Sequence, residues 1–381
     1  MNIRNLHQIF KNYIDNFEVM NDSENNETFK WEASYQFRRL MDDAFHSDSN
    51  GFIQKMNQIK TDGIVRTIID GRMRPFAGLA QLATEYDAEA VRTLFQDLFA
   101  NDGGDLTKRE QKISAFLQGC EELRLAKFPN YYSYKQTARS VAGYLFLYNP
   151  EQYYMYKATE AHRFANDIEF YGDWGSGDHL KLKEYYRLCN ELVTEIKKCP
   201  ELVHTHNNRF KHNLDYAEDR NLHILAYDII YCTCAYDLDR NITFRKVSLK
   251  EKKLYQERMK KALTAQEHYA HAEKEYRLLE QAIQHYDSVF SIGTVVQHKS
   301  YGTGTILDRY SEAIIIQFEA FSEPFKCDFY AAVANHILNY RDSLEIETEE
   351  LYQDLFSRHS GIRSALETAQ HKLIEYRDFL E

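Results

Sequence analysis

Tyr255, Ala262, Tyr269, Tyr276, Ile283 and Phe290 recur at intervals of seven, and Arg258, Ala265, Ala272, Leu279 and Tyr286 each follow one of them by three. Such a repeat lays an apolar seam along one helix, and a seam sustained over five heptads demands a helical partner. A second set supplies one. Leu355, Ile362, Ala369 and Tyr376 repeat by seven, as do Leu366, Leu373 and Leu380. At ~1.5 Å per residue, both helices run to roughly 50–60 Å. Two arrangements satisfy the pattern: the second helix folds back along the first as an antiparallel hairpin, or each pairs with its copy in a homo-oligomer. The small seam residues Ala262, Ala265, Ala272 and Ala369 permit close approach in either. The compact stretch between the two sets favours the hairpin, because its ends can lie close together.

That stretch, 291–340, changes period. Val295-Val296, Ile306-Leu307, Ile314–Phe318 and Phe325–Phe329 are β-prone runs, separated by turns at Ser300–Gly304, Arg309–Glu312 and Ala320–Pro324. Strands this short predict a small barrel, since an open sheet would leave long unprotected edges. Gly302 and Gly304 flank Thr303 where the chain must turn sharply, a place for positive φ. The order Gly293-x-x-Val296-x-His298-x-x-Tyr301-Gly302-x-Gly304-x-Ile306, followed by Ile314-Ile315-Ile316-x-Phe318, resembles the Tudor/SH3-like module of CarD and transcription-repair coupling proteins. It is also similar to the C-terminal module of UvrD/PcrA helicases, although no helicase body accompanies it. The resemblance covers about fifty residues. It implies a protein-recruiting, non-catalytic module whose partner is often RNA polymerase, with His298, Tyr301, Gly302, Gly304 and Phe318 as the candidate contact residues. For His298 the residues favour a structural role, at the end of a strand.

Residues 1–240 read as an all-helical domain. Ile3, Leu6, Ile9, Phe10, Tyr13, Ile14 and Phe17 give an amphipathic helix, and Trp31–Leu40 starts a second. Further helices are expected at Ile64–Ile69, after an Asp87 cap, after a Thr107/Glu110 capping box, over Gln136–Leu147, and continuously over Tyr153–Phe170. Tyr171–Asp178 reads as a flexible loop. Leu180–Lys198 is helical up to a stop at Cys199-Pro200, and Asn221–Tyr236 closes the domain. No strand is expected before residue 240. The runs Phe29-Lys30-Trp31, Val91-Arg92…Leu94-Phe95…Leu98, Tyr144–Lys157 and Leu225-Ala-Tyr-Asp228-Ile-Ile-Tyr231 resemble the helical region upstream of the AAA+ motor in McrB-like restriction proteins. That resemblance implies a setting in prokaryotic antiviral defence or DNA metabolism. The chain departs from the family beyond this point, since no G-x-x-x-x-G-K-[ST] loop occurs and no NTPase motor can be assigned.

A net charge of -11 gives no global attraction to nucleic acid, so any such contact must be local. One local run qualifies. Arg245, Lys246, Lys250, Lys252, Lys253, Arg258, Lys260 and Lys261 face only Glu251 and Glu257, at the start of the first heptad helix. These eight are the candidate phosphate contacts for DNA or RNA, against the plainer reading of a solvated helix face. Segment 291–340 holds three basic and five acidic residues, which suits protein recruitment better than phosphate binding. The mean hydropathy of -0.60 and the lack of an apolar run near ~20 residues predict no membrane span. Met1–Tyr13 carries no signal-peptide core, and the six scattered cysteines lack a C-x-x-C pair; together they point to reduced thiols in the cytoplasm.

Catalytic signals are weak. His204, His206 and His212 are spaced for a metal, but their surroundings read as a solvated loop. Glu195-Ile-Lys197 imitates half of a nuclease motif without a strand to carry it. No catalytic residue, metal or cofactor is assigned. The expected architecture is mainly α with a small β-barrel: a helical domain over 1–240, a coiled-coil helix over 248–290, a Tudor/SH3-like barrel over 291–340 at the tip, and a returning helix over 347–381. The expected role is a non-catalytic adaptor of a prokaryotic defence or DNA-transaction system. The alternatives are a divergent metal-dependent nuclease with its site in the helical domain, and a structural coiled-coil oligomer.

Overall fold

A computed structural model describes residues 1–71, 73–175, 180–209, 216, 218–245, 247–339 and 344–377. Lys246, His212, Leu380 and the end of the expected Tyr171–Asp178 loop lie outside them. The chain divides into two compact units, Met1–Ser248 and Leu249–Glu381.

The first unit is helical: α1 Ile3–Asp15, α2 Phe17–Met20, α3 Phe29–His46, α4 Ser49–Thr61, α5 Gly63–Ile69, α6 Pro75–Glu85, α7 Ala88–Phe99, α8 Leu106–Lys127, α9 Ala138–Tyr148, α10 Ala158–Asp167, α11 Leu182–Lys197, α12 Pro200–Arg209 and α13 His223–Ala235. Its described residues contain no strand. Side-chain caps start many of these helices. Asn2, Asp48, Asp62 and Asp87 accept backbone N–H groups of α1, α4, α5 and α7. The cap of α8 is Asp105, whose carboxylate accepts from Thr107 and Lys108; Thr107, expected to cap, already sits inside the first turn. Around Phe37, Phe76, Phe95 and Tyr144 the core is aromatic, with ring centroids 5.7–6.5 Å apart.

Two expectations for this unit are corrected. The helix expected from Tyr153 begins only at Ala158. Tyr153, Tyr154, Met155 and Tyr156 are all buried, which a one-faced helix cannot achieve. Tyrosines of α11 serve their backbone instead: Tyr186 accepts the Tyr154 N–H at 3.4 Å and Tyr185 donates to the Met155 carbonyl at 2.5 Å. The described part of the expected loop, 171–175, is anchored, because Trp174 is buried and stacks on His162 at 4.8 Å. As expected, α11 ends just before Cys199-Pro200. Proline opens α12, where its missing N–H costs nothing.

The second unit begins with α14, Leu249–Val289, and continues through β1 Val295–His298, β2 Gly302–Arg309, β3 Ala313–Phe318, β4 Phe325–Asp328, α15 Phe329–Ala334, β5 Leu338–Asn339, α16 Ile346–Ser357 and α17 His359–Glu375. The strands form one antiparallel sheet in the order β4-β3-β2-β1-β5, curled into a half-barrel. A bulge between Ile306 and Asp308 shifts the β2–β3 register and sharpens the curl. Val296, Ile306, Ile314, Ile316 and Phe318 turn inward and share a core with Leu279 and Tyr286 of α14, Phe290 just after it, Phe329 and Val333 of α15, and Phe356 of α16.

The returning segment is two helices, not the single one expected; they meet at Arg358. Both pack along α14. Tyr286 meets Phe356 at 5.3 Å, and Glu275 pairs with Arg358 at 3.3 Å. The expected seam residues Ala262, Ala265, Ala272, Leu279 and Tyr286 are buried, as are Leu355, Ile362 and Ala369 opposite. Arg258 is not; Met259 takes the buried place beside it.

Candidate interaction surfaces

The half-barrel gathers the residues that the β pattern singled out. His298 ends β1, and its Nδ1 accepts the N–H groups of Ser300 and Tyr301 at 3.0 and 3.2 Å, which fixes the turn. That bond settles the neutral ring's proton on Nε2 and gives His298 a structural task. Its ring stacks on Tyr301 at 4.3 Å. Gly302 follows at φ 77°, a conformation that costs other residues strain. Gly304 is needed for a different reason than the turn. A Cβ there would lie 2.6 Å from the Phe318 ring and 2.7 Å from Ile316, so its bare backbone is the floor on which Phe318 rests.

Two residues that the sequence reading did not assign complete the patch. Phe321 and Phe325 contact Tyr301 at 5.4 and 5.0 Å and each other at 4.9 Å. Gln317 ties the intervening turn by donating to the carbonyls of Phe318 and Phe321. Phe318 is buried, whereas Tyr301 and Phe321 are 37% and 40% exposed. Exposed Glu319 and Glu323 lie within the same turn. The result is a firm aromatic surface with an acidic rim.

The basic run is split by the fold. Arg245 precedes α14 and belongs to the first unit, where its N–H donates to Glu169 at 3.1 Å. On α14, Lys250, Lys253, Arg258, Lys260 and Lys261 are exposed and Lys252 is half-buried. Lys250, Lys253, Lys260 and Lys261 share one face at helical spacing, to the side of the buried seam, with Glu257 among them. Lys260, Lys261 and His268 line a groove of about 480 Å³ whose other wall carries Lys372 and Tyr376 of the returning segment. Lys372 is a cation that sequence order alone could not add to this face.

In the first unit, charge is buried. Lys30 is fully enclosed, and its ammonium donates to Glu27 and, at 2.5 Å, to Asp228. Asp228 also accepts from Tyr13 and from Arg209 at 3.2 Å, while Arg209 donates to the Tyr13 hydroxyl at 2.5 Å. Tyr231 presents its ring to Lys30 at 4.4 Å, and Tyr236 donates to Glu27 at 2.6 Å. Burial alone would raise the Asp228 pKa, but Lys30 and Arg209 override it and hold the carboxyl near about 2. Three stretches far apart in the sequence meet here, through Lys30, Lys157 at 5.9 Å from Tyr231, and Asp228.

Glu27, Asp228 and Cys232 come within 4.8 Å of one another, the one such triad among the described residues. They do not fit a metal. The Lys30 ammonium already bridges both carboxylates, and burial pushes the Cys232 thiol well above its usual pKa, away from the thiolate a metal requires. The histidine set fares no better. His204 is exposed and bonded to Asn208, while His206, two residues along α12, is buried against Trp31 and 3.8 Å from Asp219. The solvated-loop reading is thereby corrected: burial and the Arg209 charge hold His206 neutral, near about 4. A second enclosed pair, Arg109 and Asp102, is bidentate at 2.9 Å and capped by Tyr153 at 4.1 Å. All six cysteines are thiols without a disulfide. Comparison with family models, with curated proteins and with solved structures gives no match to this chain.

Proposed function

We propose that this chain is a non-catalytic adaptor or accessory subunit of a prokaryotic DNA-transaction or defence system, acting in the cytoplasm, and that its half-barrel recruits a protein partner. The observation that carries this reading is the patch of Tyr301, Phe321 and Phe325, held firm by His298 and Gly304 and rimmed by Glu319 and Glu323. Preorganised aromatic rings supply contact area at small entropic cost, and an acidic rim selects a basic partner surface. In this reading α14 and the α16–α17 segment form an antiparallel coiled coil, with the half-barrel inserted at its tip. The lysine face at the start of α14 touches nucleic-acid phosphates at the opposite end of the stalk. The antiparallel order of contacts, Tyr286 with Phe356 and Glu275 with Arg358, supports the hairpin over pairing between copies.

The test is retention of purified bacterial RNA polymerase, and of proteins encoded beside this gene, on the immobilised full chain. Tyr301→Ala with Phe321→Ala is expected to abolish retention while leaving the circular dichroism spectrum unchanged. Retention by the folded double variant would remove the half-barrel from the proposal.

A further inference from the structure

A second exposed aromatic surface lies in the first unit, and its surroundings are opposite in sign. Between α8 and α9 the chain makes a tight turn over Tyr131–Tyr134. Tyr131 is 55% exposed and Tyr132 72%. Nothing about the turn is loose. The Arg74 N–H donates to the Ser133 carbonyl at 2.8 Å, and Gln136 donates to the Pro75 carbonyl at 2.7 Å. Gly78 lies so close beneath that a Cβ there would meet that of Tyr134 at 2.5 Å. The Tyr131 and Tyr134 rings stack at 5.3 Å, and Phe128 sits edge-on to both at 5.6 Å. Arg124 lies 5.8 Å from the Tyr132 ring and donates to the Phe128 and Pro129 carbonyls, so the approach to the turn is pinned as well.

The charge around these rings is positive in a chain whose total is strongly negative. Residues 123–139 contain Arg124, Lys127, Lys135 and Arg139 and no acidic residue, and the Arg74 backbone is bonded into the same turn. Arg74, Lys127 and Lys135 are exposed and make no ion pair among the described residues. Glu121, whose charge Lys135 also feels, is gripped by both arms of Arg124 at 2.8 Å. Exposed rings held fixed beside cations suit a ligand that offers both flat faces and negative charge.

We infer that the Tyr131–Tyr132 turn is a stacking platform for single-stranded nucleic acid, with Lys127, Lys135 and Arg74 meeting its phosphates. Unpaired bases offer free faces to a fixed ring, and the stacking is indifferent to base identity. In a duplex those faces are already occupied, so the platform discriminates strand state rather than sequence.

The experiment uses the full chain in a background where Lys250, Lys253, Lys260 and Lys261 are changed to Gln, so that the α14 lysines cannot contribute. Fluorescence anisotropy follows a labelled fifteen-nucleotide oligo(dT) and a duplex of equal length at low and moderate salt. The oligo(dT) is expected to bind at low salt and to weaken as salt rises. Tyr131→Ala with Tyr132→Ala should weaken oligo(dT) roughly tenfold or more and leave the duplex affinity as it was. Lys127→Gln with Lys135→Gln should weaken it and flatten its salt dependence. Both pairs are exposed, so unchanged melting curves will show that the variants fold. Failure of oligo(dT) to bind at low salt, equal binding by the double tyrosine variant, or an equal loss on the duplex would each overturn the assignment. None of these outcomes bears on the half-barrel and its partner.

Discussion

The two units bury different things. Every buried polar or charged residue among the described ones lies between Asn5 and Thr233, in the first unit; the second encloses only apolar and aromatic side chains and alanines. The first unit thus carries, within its aromatic core, enclosed charge that must be matched, whereas the described residues of the second are packed by shape alone. A matched ion network adds little net stability over an apolar core of equal volume, but removing one member strands the others. A seam of small residues tolerates loss of charge and resists change of volume. The lesson is that the two halves should fail under different insults.

Three measurements sharpen that contrast. Asp228→Ala leaves Lys30 and Arg209 enclosed without their shared carboxylate, and should cost about 3–5 kcal/mol. Leu279→Ala, fully buried in the second unit, should cost a comparable ~2–5 kcal/mol through a cavity. Trp31 and Trp174, the chain's two tryptophans, both belong to the first unit, so tryptophan fluorescence during urea unfolding should shift for Asp228→Ala only. A shift of equal size for Leu279→Ala would merge the two units into one cooperative whole.

Acid is the next probe. Burial holds His206 and His223 near about 4, so their contribution is present above the ordinary histidine range and is lost as pH falls from ~6.5 towards 4. Burial raises Asp219 to about 6 and Asp167 to about 7, and these favour the folded state increasingly as pH falls over the same interval. The two pairs oppose each other. Asp228 then acts below them: its folded pKa is depressed, so its stabilisation is present above ~3.9 and disappears as pH falls towards 2. Tryptophan-detected stability should therefore be nearly level from pH 6.5 to 4 and drop steeply below it. A steady decline across the whole range would mean that the histidines dominate.

The smallest effect is expected at the surface. Arg358 pairs with Glu275 and Asp354 at the junction of α16 and α17, all of them substantially exposed. Arg358→Ala should cost under ~1 kcal/mol in thermal melts. A larger loss would make the junction a structural clamp rather than a solvated crossing.

The sequence showed most plainly what is periodic. The heptads of α14 were readable because a seven-residue repeat needs no knowledge of the rest of the chain. The break at Arg358 was not, because Leu355 and Ile362 keep their spacing across it. Helix α6 left no stripe to detect: Phe76, Leu79, Ala80, Leu82 and Ala83 are all enclosed, so apolar residues surround it. Helix α4 offered only Phe52, Ile53, Met56 and Ile59 in an otherwise polar stretch. In the half-barrel the spacing of His298, Tyr301, Gly302 and Gly304 was visible, whereas Phe321 and Phe325 join them only once β3 and β4 pair. The Lys30–Asp228 pair joins positions 198 residues apart, and no local pattern announces it. The exposure of Tyr131 and Tyr132 was equally hidden, since tyrosine is common in both core and surface of this chain.

That long span has a consequence for biosynthesis. As the chain leaves the ribosome, Lys30 emerges with Glu27 beside it but far ahead of Asp228, Tyr231 and Tyr236. At ~5–20 residues per second, roughly 10–40 s of translation separate the ammonium from its principal counter-ion. Through that interval α3 cannot be sealed into a core without leaving Lys30 one counter-ion short. The first unit must therefore wait, open, for its own last helix, and chaperones that hold nascent chains have that long to find it.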